Sequence, residues 1–123
     1  MAIIKVVQFI NHDNPFSLLL EKEVDDVTTP VNFISTGVSR MVIVYGSGQI
    51  DSDIEGEGSG INNVFDWTTN GTNGIVTFNL GTLTVPVSTG TYTCDLVVYD
   101  PTYDDGQVWE KAFKLYVKPQ KVT

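Results

Sequence analysis

The side chains best spaced for chemistry are carboxylates. Asp51-Ser52-Asp53-Ile54-Glu55-Gly56-Glu57 sets oxygen ligands at alternate positions with a glycine at the sixth, which is how a calcium-binding helix–loop–helix loop begins. Such a loop also needs a bidentate Glu at its twelfth position, and counting from Asp51 that position is Asn62; the flanking helices are missing too. Asp51, Asp53 and Glu55 are therefore calcium candidates without a complete motif, and the plainer reading is a solvated, self-repelling loop. The same acids could dock a basic partner, or serve an acid-catalysed hydrolase if folded into a pocket of close carboxylates. His12 lies in the turn-prone run Asn11-His12-Asp13-Asn14-Pro15. No nucleophile elbow marks a serine for it, so an exposed turn histidine is expected.

Cys94 falls mid-strand on an apolar face, where a small thiol packs; reactivity would need exposure and an electropositive neighbour. Gly46-Ser47-Gly48 and Gly56 to Gly60 lack the Lys and the following helix of a phosphate-binding loop. Trp67, Tyr99, Tyr103 and Trp109 offer ring faces on which a sugar could stack. Trp67 and Trp109 follow the inward register of their strands and are expected in the core, which leaves the loop residue Tyr103 as the exposed platform. These readings assign no catalytic residue, no cofactor and no metal, and a non-enzymatic chain is expected.

Composition narrows the partners. The 123 residues suit one domain. Fifteen acids against seven Lys and Arg give a formal charge of −8, which argues against nucleic acid, because phosphate neutralisation needs a basic face. One Cys and one His exclude an intrachain disulfide framework and a Cys/His zinc site. No apolar run approaches the ~20 residues that span a bilayer. The start Met1 to Ile10 is interrupted by Lys5 and Gln8, so no secretory signal is expected. Asn70-Gly71-Thr72 is read as a turn rather than a glycosylation site.

The elements that must position these residues are strands. Two Ala stand against 17 Val, 9 Ile and 14 Thr, and branching at Cβ suits a pleated sheet better than a helical turn. Gly, Asn, Asp and Pro cut the chain into the short segments of an all-β sandwich or barrel. Gly74 to Gly81 alternates, with Val76, Phe78 and Leu80 on one face; Gly90 to Tyr99 points Tyr92, Cys94, Leu96 and Val98 inward; Val108 to Lys118 does the same with Trp109, Phe113, Leu115 and Val117. Asp100 to Gly106 joins the last two as a hairpin. Arg40 to Tyr45 is nearly continuous apolar and is expected to be central in a sheet. Less regular segments are read at 17–22, 31–35 and 63–68, with an acidic turn at Asp25-Asp26. Gly46 to Gly60 is read as a bent strand and an exposed loop.

Ile3, Ile4, Val6, Val7, Phe9 and Ile10 form a strand with too many apolar groups for a two-faced edge. Either both faces are buried within this domain, or residues 1–14 act as an arm added to a neighbour's sheet edge while residues 15–123 form the single sandwich.

Gly90-Thr91-Tyr92-Thr93-Cys94 resembles the F strand of immunoglobulin-like domains, where a Tyr two residues before the Cys forms a tyrosine corner. The resemblance implies that the Tyr92 hydroxyl pins its loop and that Cys94, lacking its usual partner, only packs. A wider series follows in order: Arg40 to Gly46, Ile50-Asp51-Ser52, Phe65-Asp66-Trp67, Phe78 to Gly81, Gly90-Thr91-Tyr92, Leu96 to Pro101 and Gly106 to Trp109. Over Gly37 to Pro119 it is similar to immunoglobulin-like β-sandwich proteins of tailed bacteriophage virions. That resemblance implies an antiparallel β-sandwich of about seven to eight strands with an N-terminal strand or arm. It also implies a structural role on the particle, as capsid decoration or a tail, neck or baseplate accessory. Capsid or tail proteins would be the partners, self-association stays open, and the protein would be made in the host cytoplasm and sit on the virion. The alternative is a carbohydrate- or host-receptor-binding module at a tail tip, using Tyr103.

Overall fold

Val, Ile and Thr at alternating positions produce ten short to medium strands among the described residues, joined by loops, and the helical pieces are single turns. The computed structural model describes residues 3–123; Met1 and Ala2, the first two residues of the expected arm, lie outside the described residues. In chain order the elements are β1 (Lys5–Phe9), β2 (Phe16–Leu19), β3 (Glu21–Val24), β4 (Val27–Pro30), α1 (Phe33–Thr36), β5 (Arg40–Tyr45) and β6 (Gly48–Asp51). There follow α2 (Ser52–Glu55), β7 (Phe65–Asp66), β8 (Ile75–Phe78), β9 (Gly90–Tyr99) and β10 (Gln107–Lys118). The architecture is all-β, with most strand pairs antiparallel.

One sheet runs β1-β10-β9-β5-β6, a second runs β2-β8-β7, and β3-β4 is a separate hairpin. The first sheet is mixed, because β1 runs parallel to β10 with Val6 opposite Leu115 and Gln8 opposite Val117. The two larger sheets share one core. The Phe113 ring of β10 lies 5.1 Å from Phe16 of β2 and 6.0 Å from Phe78 of β8, and Phe65 of β7 stacks edge-on to Phe78 at 5.5 Å. Apolar faces hidden on both sides of such a layer supply the main stabilisation.

The alternation of β9 and β10 holds, with one interruption that explains a misplaced charge. Strict alternation would turn Lys111 inward between Trp109 and Phe113. Instead Trp109 pairs with Leu96 and Phe113 with Cys94, so four residues of β10 span two of β9. Lys111 takes a positive φ of 51° in this bulge and its N–H donates to the Asp95 carboxylate at 2.8 Å. The bulge loosens the sheet locally, and Trp109 is half-buried rather than a full core residue.

The less regular segments meet the expectation in part. Residues 31–35 do not form a strand: the Asn32 side chain accepts from the N–H groups of Ile34 and Ser35 at 3.1 and 3.0 Å, an N-cap that starts α1 at Phe33 and drops Phe33 into the core. The irregular stretch at 17–22 divides between β2 and β3, and the acidic turn Asp25-Asp26 is the tip of the β3-β4 hairpin, with φ of 52° and 63°. Paired positive φ is the tight-turn geometry that Asp tolerates. Finally, Gly46 to Gly60 holds the expected strand, β6 paired with β5, followed by the helical turn α2, and Asp51 and Ser52 are buried rather than exposed. Arg40 to Tyr45 is flanked on both sides, by β9 and β6, as its apolar run implies.

Candidate functional site

The acidic run is dismantled by its neighbours. Arg40 opens β5 and Asp51 closes β6, so the hairpin brings them together. The Arg40 guanidinium donates to both Asp51 oxygens, with Nε to Oδ1 at 3.0 Å, and it lies over the Tyr99 ring at 4.7 Å. Asp51 also accepts from the Asp53 N–H at 3.0 Å, capping α2. The hydrogen bond from Arg40 holds the Asp51 carboxyl below its usual range, against a burial effect that pushes the other way. Asp53 reaches the same guanidinium at 3.4 Å. Glu55 goes elsewhere and accepts from the Thr84 N–H at 2.9 Å. A single ion would need the three carboxylates together, whereas here Arg40 neutralises two and a loop amide engages the third. Among the described residues no three His, Cys, Asp or Glu side chains gather as a metal set.

The remaining polar candidates also have structural partners. His12 accepts at Nε2 from the N–H groups of Lys121 and Val122, at 3.1 and 3.3 Å, and so fastens the C-terminal segment rather than standing free in a turn. Cys94 is fully buried. Burial, aided by the Asp95 charge, pushes its thiol up to about 12, which leaves almost no nucleophilic thiolate near neutrality. The Tyr92 hydroxyl donates to the Ser88 carbonyl at 2.7 Å, pinning the loop before β9. Trp67 is buried edge-on to Phe65. Tyr103 is 45% exposed, but the Lys22 ammonium sits 5.1 Å from the centre of its ring.

Sequence reasoning passed over Asp66. Its carboxylate accepts from Gly60, from the Thr68 N–H and from both N–H and hydroxyl of Thr69, the last at 2.7 Å. Burial raises its pKa, and these hydrogen bonds together outweigh that and lower it. The pattern Asp66-Trp67-Thr68-Thr69 carries the local signal, an Asp two and three residues before amides it can cap.

The N-terminal segment resolves into inward and outward residues. Val6 and Gln8 are buried, Ile3, Phe9 and Ile10 are half-buried, and Ile4 and Val7 are exposed. The strand is docked on its own sheet: the Lys114 N–H donates to Ile4 at 2.7 Å and the Ile10 N–H to Lys118 at 3.0 Å. What the structure assembles around it is a surface. Lys5 stands opposite Lys114, and Phe9 opposite Lys118, on the outer face of β1 and β10. Where β1 begins, an open groove of about 780 Å³ lies between β2 and the β10 bulge, floored by Ile3, Ile4, Leu19, Val108 and Trp109. The lysine spacing of four along β10 was visible in the sequence, but its neighbour Lys5 is 109 positions from Lys114.

The chain matches no protein-family model, and no curated protein matches it as a relative.

Proposed function

We propose that this chain is a non-enzymatic structural protein of a tailed-bacteriophage particle, attached to the virion surface by protein–protein contacts. The observation that carries the reading is the strand order β1-β10-β9-β5-β6 facing β2-β8-β7, together with the Tyr92–Ser88 hydrogen bond. Both support an immunoglobulin-like sandwich with an unbridged tyrosine corner, the architecture that the resemblance to virion proteins implies. A binding role is favoured further by where the reactive groups go. Asp51 and Asp53 are neutralised by Arg40, His12 holds the C-terminal segment, and Cys94 is buried as a thiol. Exposed apolar side chains include Ile4 and Val7 at β1, Leu19 and Val108 at the groove, and Val24 and Val27 on the β3-β4 hairpin.

Quantitative mass spectrometry of purified particles, scaled to the major capsid protein, tests this. A copy number that follows the capsid lattice assigns decoration, and a low one assigns a tail, neck or baseplate fitting. Absence from particles overturns the reading. A carbohydrate- or receptor-binding module at a tail tip is the second reading, favoured by the exposure of Tyr103. The Lys22 ammonium lies 5.1 Å from the centre of that ring and would share it with a sugar. Glycan or host-cell binding that Tyr103→Ala abolishes is the result that would move this reading ahead.

A further inference from the structure

The β3-β4 hairpin stands apart from both larger sheets and is exposed along nearly its whole length. Its tip is apolar and acidic at once: Val24 and Val27 are 66% and 60% exposed, and they flank Asp25 and Asp26. With Glu21 and Glu23, four carboxylates stand against the single ammonium of Lys22. An isolated two-stranded ribbon of this kind has little to hold it in water unless something packs on it.

The groove has the complementary character. Its floor is apolar, with Ile4, Leu19 and Val108 all about half exposed and Trp109 half-buried. Lys111 and Lys114 line it, with Glu110 as the one acid. Lys5 stands opposite Lys114 on the same outer face, and like charges side by side in a sheet are unfavourable. The ion pairs among the described residues involve only Arg40, with Asp51 and Asp53; the nearby Asp95 carboxylate is taken by the Lys111 backbone N–H, so the ammonium groups of this edge form no ion pair among the described residues on a chain of net charge −8.

Hairpin and groove also share a border. A second cleft of about 320 Å³ runs between Glu21–Val24 and Gln107–Trp109, and Val108 and Trp109 line the groove as well. The two complementary surfaces therefore lie on one side of the molecule. The geometry points to a twofold homodimer in which the β3-β4 hairpin of each copy, with Val24 and Val27 leading, docks in the Trp109 groove of the other. Its carboxylates then meet Lys111, Lys114 and Lys5. A reciprocal contact of this sort closes on itself, since the same pair of patches is used twice. Residues 21–30 together with the twelve that line the groove supply the ~20 residues a side of an ordinary specific interface. Self-association in solution stands apart from the virion reading, because particle composition tests one and solution mass tests the other.

The test is sedimentation of the full-length protein across a concentration series, at about 0.05 M and about 1 M salt. A monomer–dimer equilibrium that weakens at high salt is expected. Asp25→Asn with Asp26→Gly keeps a positive-φ turn while removing both charges, and should weaken dimerisation at least about tenfold with the fold unchanged by circular dichroism. Glu23→Lys and Lys114→Glu should each be monomeric alone, yet an equimolar mixture should dimerise, because in the mixed pair both contacts are again complementary. A chain that stays monomeric at low salt overturns the proposal, as does a dimer indifferent to these substitutions. Open-ended polymers overturn the twofold arrangement.

Discussion

Tyr92 and Asp51 show how single side chains set the limits of this molecule. The Tyr92 hydroxyl has one partner, the Ser88 carbonyl, while its ring packs against Tyr45 at 5.3 Å. Tyr92→Phe keeps the ring and removes the hydrogen bond, so it should lower unfolding free energy by about 1 kcal/mol. The urea midpoint should fall with the slope unchanged, and an unaltered midpoint would mean the hydrogen bond contributes nothing. Asp51 governs acid sensitivity. Its carboxyl is held low by the Arg40 hydrogen bond, so the stabilisation is complete above the unfolded-state pKa of about 3.9 and is lost as pH falls through the lower folded value. Asp66 titrates in the same direction and contributes to the same window. Below about pH 4 the wild-type protein should lose stability more steeply than Asp51→Asn. Urea midpoints of the two proteins, measured down to about pH 2, check this, and parallel pH profiles would show that the pair with Arg40 is energetically silent.

At the scale of elements, β1 is the segment on which the readings part. An arm that served only a neighbour could be removed without harm to the domain. In the structure Val6 and Gln8 are buried and the whole strand pairs with β10. Deleting residues 1–11 should therefore destabilise the protein by at least about 2 kcal/mol from Val6 alone, with a lower thermal midpoint and exposure of the flank around Leu115 and Val117. A truncated chain that melts like the full-length protein would restore the arm reading. β9 and β10 were legible because half-buried strands alternate with a period of two, and so was their hairpin. The bulge was not, since Lys111 at an inward position signals a conflict without saying how the backbone resolves it. Residues 31–35 were misjudged for a related reason: Val31, Phe33 and Ile34 look like a strand, but the Asn32 cap makes a turn of helix locally cheaper.

For the molecule as a whole, the net charge of −8 describes the total and hides its distribution. Fifteen acids include Asp51, Asp66 and Asp100, which are buried and bound within the fold, so part of the apparent docking charge is structural. The lysines gather instead along β1 and β10, beside a groove framed by a hairpin of the opposite sign. The sequence by itself determined the strand-forming character, the inward faces of β8, β9 and β10, the Asp25-Asp26 turn and the packing role of Cys94 and Trp67, because each depends on side-chain periodicity or on contacts within a few residues. Only the tertiary structure decided that Arg40 claims Asp51 and Asp53, that Lys5 meets Lys114, that β1 closes the sheet in parallel, and that Trp109 lines an open groove. Those outcomes join residues far apart in the chain, and which strand lies beside which is settled by how the apolar faces close on one another, a global balance that no local spacing encodes.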